Sequence, residues 1–117
     1  MAHNQEIGRW GEAAAVEYLR RCGYEILETN ARTPRGEIDI VARRGDVTVF
    51  VEVKARTNRR WGLPEDAVTP RKQAHMLAAA TYYAAKHEID FWQADVLAVE
   101  GLPGSRPEIE HFENVLA

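Results

Sequence analysis

The chain has 117 residues, 45% of them hydrophobic and 28% charged, which suits one globular domain over 1–117 with its own core. The formal net charge is −3 and the pI is near 5.8, values that on their own argue against a nucleic-acid partner. No apolar run approaches the roughly 18 residues of a membrane span, no signal peptide is evident, and the single Cys22 excludes an internal disulfide. A cytoplasmic protein is expected, with no Cys/His spacing that suggests zinc.

In chain order, Ile7, Trp10, Gly11, Ala14, Ala15, Tyr18, Leu19 and Cys22 recur at helical spacing. They predict an amphipathic helix over about 4–22, ended by Gly23 and with Cys22 in the core. Gly8 and Gly11 weaken that helix and read as points of close packing or of backbone approach to a site. Residues 24–28 read as a strand, and 29–36, with Pro34 and Gly36, as a loop. Two strand-like runs follow, 37–41 and 49–54, joined through Arg43-Arg44-Gly45-Asp46.

Residues 55–69 lack periodicity and read as a long connection, which in a compact domain is usually functional or mobile. Thr69 and Pro70 then form an N-cap and first helical residue. That helix runs through about Lys86, with Ala74, Leu77, Ala78, Thr81, Tyr82 and Ala85 as its apolar stripe. His75 and His87 have no paired ligand spacing. Residues 91–100 and 108–114 complete the chain as strands, for an order α-β-β-β-α-β-β: a mixed α/β sheet whose apolar face the two helices bury.

The hairpin carries the most information. A two-residue Gly45-Asp46 loop pairs Arg44 with Val47, and so Asp39 with Glu52. One face then holds Ile38, Ile40 and Ala42 against Val49, Val51 and Val53. The other sets Glu37 opposite Lys54, Asp39 opposite Glu52, Val41 opposite Phe50 and Arg43 opposite Thr48. Directly opposed side chains have Cβ atoms roughly 4.5–5.5 Å apart, and like charges there repel. A divalent cation between Asp39 and Glu52 would turn that repulsion into binding. The plainer alternative is a Glu37–Lys54 salt bridge, with the other two carboxylates in solvent.

Asp39 followed by Glu52-Val53-Lys54 resembles the D…(D/E)xK signature of the restriction-endonuclease-like, or PD-(D/E)xK, nuclease superfamily. Ile38 stands where the superfamily's name puts proline. The whole chain more closely resembles the YraN-like family of small bacterial endonuclease-like proteins. The likeness is carried by Gly8-x-x-Gly11-Glu12, Gly23-Tyr24, Asn30-x-Arg32, Gly36-Glu37-Ile38-Asp39, Phe50-Val51-Glu52-Val53-Lys54-x-Arg56 and Ile109-Glu110-His111-Phe112-Glu113-Asn114. It implies a restriction-endonuclease-like fold and metal-dependent cleavage of DNA, by extension of branched or recombination intermediates. Mg²⁺ or Mn²⁺ would be held by Asp39, Glu52 and the Val53 carbonyl. Lys54 would orient the attacking water or offset developing charge. Glu12 would be a further acidic member of the pocket, although a glutamate in the N-terminal half of a helix is favoured by the dipole without any function.

The charge distribution agrees with a nucleic-acid partner better than the total does. Within 32–72, ten basic side chains face six acidic ones, a balance of +4 that leaves −7 elsewhere. Arg32, Arg35, Arg56, Arg59, Arg60 and Lys72 are the expected phosphate contacts, with Trp61 either stacked on a base or folded into the core. Lys72 and the neighbouring Gln73 also read simply as exposed helix residues. Cutting two strands symmetrically with one site per chain would need a homodimer. Two other classes stay open: a nucleic-acid-binding module that cuts little or not at all, and a protein-interaction adaptor built on the acidic outer segments.

Overall fold

The computed structural model describes residues 2–60 and 62–117, with side chains from Gln5 onward. Trp61, expected on a base or in the core, lies outside the described residues. The elements are α1 (Ala2–Arg21), β1 (Glu25–Thr33), β2 (Gly36–Arg44), β3 (Val47–Arg56), a short 3₁₀ helix (Pro64–Ala67), α2 (Pro70–Lys86), β4 (Trp92–Glu100) and β5 (Glu108–Phe112). The five strands form one sheet in sequence order. Only β3 and β4 are parallel, joined through α2; the other neighbours are antiparallel. The fold is thus α/β with the expected order. Among the described residues no helix is long and apolar enough to cross a membrane.

The core lies on both faces of the sheet, not on one. Ala15 and Leu19 of α1 pack with Ile40, Ala42, Val49, Val51, Leu97 and Val99. On the opposite face Met76, Ala79, Ala80 and Ala84 of α2 pack with Val41, Phe50, Ala94 and Val96. Consecutive residues of β3 and β4 are therefore buried, as expected of strands covered on both sides.

Helix α1 buries Ile7, Gly11, Ala15 and Leu19, spaced four apart. A Cβ at Gly11 would overlap that of Ala55 on β3, so glycine is what lets helix and strand meet there. The helix ends where Gly23 donates to the Arg20 carbonyl and Tyr24 to that of Leu19, the paired bonds of a Schellman cap. Tyr24 is buried and Cys22, expected in the core, is exposed, because the chain leaves the helix at the cysteine and turns inward only at the tyrosine.

Three other expectations change. Strand β1 extends to Thr33 through residues read as loop, its shape disguised by a register shift between Ile26 and Glu28 and by Asn30 at φ 53°. The connection after β3 is shorter than expected, because the strand runs to Arg56 and the 3₁₀ helix occupies its far part. In α2 the N-cap is as expected, Thr69 Oγ1 accepting the Lys72 N–H at 3.1 Å. The buried stripe is the other one: Leu77 and Tyr82 are exposed while Met76, Ala79, Ala80 and Ala84 face the sheet. Alanines lie on both sides of this helix, so periodicity alone leaves its rotation open.

Gly11→Ala should lower unfolding free energy by about 1–3 kcal/mol through overpacking against Ala55. Leu77→Gln should stay within about 0.5 kcal/mol of the parent. Urea denaturation of both variants checks the two placements, and a large loss for Leu77→Gln would rotate α2 back to the stripe expected from sequence.

Candidate functional site

The Gly45-Asp46 turn forms as its composition requires, with Gly45 at φ 62°. Pairing of β2 with β3 follows the expected register from Arg44↔Val47 to Ile40↔Val51 and stops there. Beyond it, Asp39 Oδ2 accepts the Val53 backbone N–H at 2.8 Å, so that a side chain takes a strand donor. Asp39 and Glu52 are consequently not a cross-strand pair, and Glu37 forms its ion pair with Arg32 at 3.9 Å instead of facing Lys54. The alternation also slips: Ile38, expected beside Ile40, packs on the α2 face with Val41 and Phe50.

Where the strands part, a wide cleft of about 1300 Å³ opens toward α1. Glu12, Asn30, Arg32, Glu37, Asp39, Val53, Lys54 and Arg56 line it. A smaller cavity of about 140 Å³ lies toward α2, lined by Arg35, Glu37, Glu52, Lys72 and His75 over Ile38, Phe50 and Met76. Glu37 lines both. Glu12 is held by Asn30, whose Nδ2 donates to Oε1 at 2.8 Å. Glu52 is held by Lys72, Nζ to Oε1 at 2.8 Å. Lys54 is exposed at the wide cleft.

Burial, and then the negative charge of Glu52, pushes the Asp39 carboxyl up from 3.8 to about 6; Glu12 and Glu37 push the same way and the Val53 N–H opposes them. Asp39, Glu12 and Glu37 bring carboxylate oxygens to the wide cleft and Glu52 brings its own to the adjoining cavity, hard donors of the kind that Mg²⁺ and Mn²⁺ take.

The expected phosphate contacts divide. Arg32 and Arg56 reach the wide cleft and Arg35 and Lys72 the smaller cavity. Arg59 pairs with Glu100 at 3.2 Å away from both, and Arg60 is exposed in the connection after β3. Arg9 of α1, not singled out from sequence, also lines the wide cleft.

A second polar cluster lies under the C-terminal end of α1. Asp95, fully buried, accepts from Gln93 Nε2 (2.9 Å) and the Asn114 N–H (2.9 Å), and its Oδ2 lies 2.7 Å from His111 Nε2. His111 Nδ1 meets the Tyr18 hydroxyl at 3.1 Å. Asp95, His111 and Glu113 offer ligand atoms within 4.8 Å of one another, an arrangement able to hold a metal ion. Sequence reading gave neither Asp95 nor His111 a role. The available signal was an aspartate inside the otherwise apolar buried run of β4, where a charge is rarely kept without partners.

The model of "Uncharacterised protein family UPF0102" matches residues 11–99. The chain is similar to a UPF0102 protein of Dehalococcoides mccartyi, 43% identical over 99% of this chain and 98% of the relative. It is 48% identical to one of Syntrophotalea carbinolica over 91% and 87% of the two chains. With one of Geobacter metallireducens it shares 46% identity over 96% and 93%.

Between about pH 4 and 6 folded Asp39 keeps a proton that the unfolded chain releases, so this residue removes stability as pH rises through that window. Asp39→Asn should therefore exceed the parent by about 1–3 kcal/mol at pH 7 and match it closely near pH 4, measured by denaturation without divalent cations. His111→Ala, which deprives buried Asp95 of a partner, should cost about 1–3 kcal/mol in the same assay.

Proposed function

The chain belongs to the UPF0102, YraN-like, family, and from its carboxylate cleft we propose that it is a divalent-metal-dependent endonuclease hydrolysing phosphodiester bonds in DNA. The observation that carries this is Asp39: a carboxylate pushed to about 6, by burial and by Glu52, Glu12 and Glu37, in an open cleft that also holds Lys54. Groups shifted by desolvation together with specific charged neighbours in a cleft cluster at functional sites. The reading rests on these residues and on the superfamily signature they resemble.

In this reading Asp39 and Glu52, which line adjoining openings, would hold the cation, with the Val53 carbonyl as a third oxygen. Once bound, Mg²⁺ or Mn²⁺ supplies Lewis acidity to the phosphate and lowers the pKa of a water. The Val53 N–H orients Asp39, and Asn30 holds Glu12 in the acidic wall. Lys54 places its ammonium to hold the attacking water or offset charge on the phosphate oxygens. Arg9, Arg32 and Arg56 line the same cleft and take flanking phosphates. Contacts of that kind position a strand without reading its bases, which favours a substrate chosen by shape, such as branched DNA. Two chains would serve two strands.

The test is a panel of linear, single-stranded, flapped and four-way-junction DNA incubated with Mg²⁺, Mn²⁺ or chelator. Cutting should require metal, disappear in Asp39→Asn and Glu52→Gln, and fall about 10²- to 10⁴-fold in Lys54→Ala while binding persists. Metal-independent binding without cutting by any variant would replace the enzyme with a non-catalytic binding module. Indifference to DNA would leave the adaptor.

A further inference from the structure

We propose that Lys72 is an internal counter-ion which holds Glu52 while the metal is absent, gives way when a divalent cation binds, and passes to a DNA phosphate. The inference rests on the metal-dependent reading of the cleft and concerns how that site is regulated.

The Lys72–Glu52 ion pair is 2.8 Å long and partly shielded, with side chains 35% and 21% exposed. Its place in α2 is not explained by helix stability. Lys72 is the third residue of the helix, in the first turn, where the dipole disfavours a cation and where a capping box would want a carboxylate. Glu52 is the compensating partner. The Lys72 backbone is anchored by its N–H bond to Thr69 Oγ1, so the long side chain is the part free to swing.

A divalent cation on Glu52 would put two positive centres on one carboxylate, and their repulsion weakens the ammonium's hold. A displaced Lys72 has a second place to go. It projects from the first turn of α2, where the helix dipole also favours an anion, into a cavity lined by Arg35 and by Glu37 and Glu52, the second of which a bound cation would neutralise. Metal and DNA would then assist each other: metal frees the lysine for phosphate, and phosphate keeps the lysine off Glu52. Linkage requires the two effects to be equal in size. A purely structural bridge makes the opposite forecast, because there Lys72 holds Glu52 in place for the metal.

The experiment titrates Mn²⁺ into the full chain by calorimetry, comparing the parent with Lys72→Met, Lys72→Arg and Asp39→Asn. Thermal melts confirm that each is folded. Lys72→Met should bind Mn²⁺ roughly 5-fold or more tightly than the parent, in the range of ordinary coupling between sites. Binding to a phosphorothioate-protected duplex should strengthen when Mn²⁺ replaces chelator by a larger factor in the parent and in Lys72→Arg than in Lys72→Met, where only the direct metal–phosphate contact remains. Equal or weaker Mn²⁺ binding by Lys72→Met, with the parent site intact and lost in Asp39→Asn, overturns the exchange and leaves the nuclease reading standing. Mn²⁺ binding that ignores Asp39→Asn overturns both.

Discussion

The cleft depends on one hydrogen bond, the Val53 N–H to the Asp39 carboxylate. A strand donor ordinarily meets a strand carbonyl; here a side chain takes it, and the β2–β3 ladder ends one residue earlier, at Ile40↔Val51. Three features accompany that exchange. The strands part and make room between them, Ile38 changes faces, and Asp39 is fixed among acidic neighbours with one N–H to oppose them. Apolar alternation would have continued the hairpin, so the interruption stabilises the local fold less than a paired strand would. Sites that break a local rule in this way are where function is expected to reside.

The two-layered cover of the sheet brings the rest of the site to that opening. Gly11 allows α1 to touch β3 at Ala55, the residue after Lys54, and Glu12 follows Gly11 directly. The close contact that seats the helix therefore also delivers its carboxylate to the cleft that holds Lys54. On the other face, α2 is the crossover that makes β3 and β4 parallel, and its first turn delivers Lys72 to Glu52. The cleft is thus walled by the start of one helix and the small cavity by the start of the other.

How legible this was in the sequence varied with the physics involved. Glycine in the Gly45-Asp46 turn has a strong local preference, and the register it sets was readable as far as Ile40. The Asp39 to Val53 bond could not be read, because a side chain that captures a backbone donor leaves no trace in a period-two pattern. The rotation of α2 was hidden for a different reason: alanine is indifferent to burial, and the choice between its two stripes is made by Met76 and Tyr83 meeting Phe50 and the sheet. Asp39, Glu52, Lys54 and Glu12 were all named in advance and lie about two adjoining openings, although not in the opposed geometry expected. Asp95 and His111 were missed because their partners come from β4, β5 and α1, separated in sequence by as many as 93 positions.

Five of the ten basic side chains read from sequence as a phosphate footprint form ion pairs within the molecule. Arg32 pairs with Glu37, Arg43 with Glu25, Arg44 with Glu113 and Arg59 with Glu100. That engagement does not disqualify these cations as phosphate ligands. The Arg32–Glu37, Arg43–Glu25 and Arg44–Glu113 pairs are exposed and contribute only about 0–1 kcal/mol each, so an incoming phosphate can take over such a cation at little cost. The partly shielded Lys72–Glu52 pair differs, because parting it is offset only if both partners find new ones. A carboxylate that gains a divalent cation and an ammonium that gains a phosphate meet that condition together, whereas either ligand alone leaves one of the two charges uncompensated.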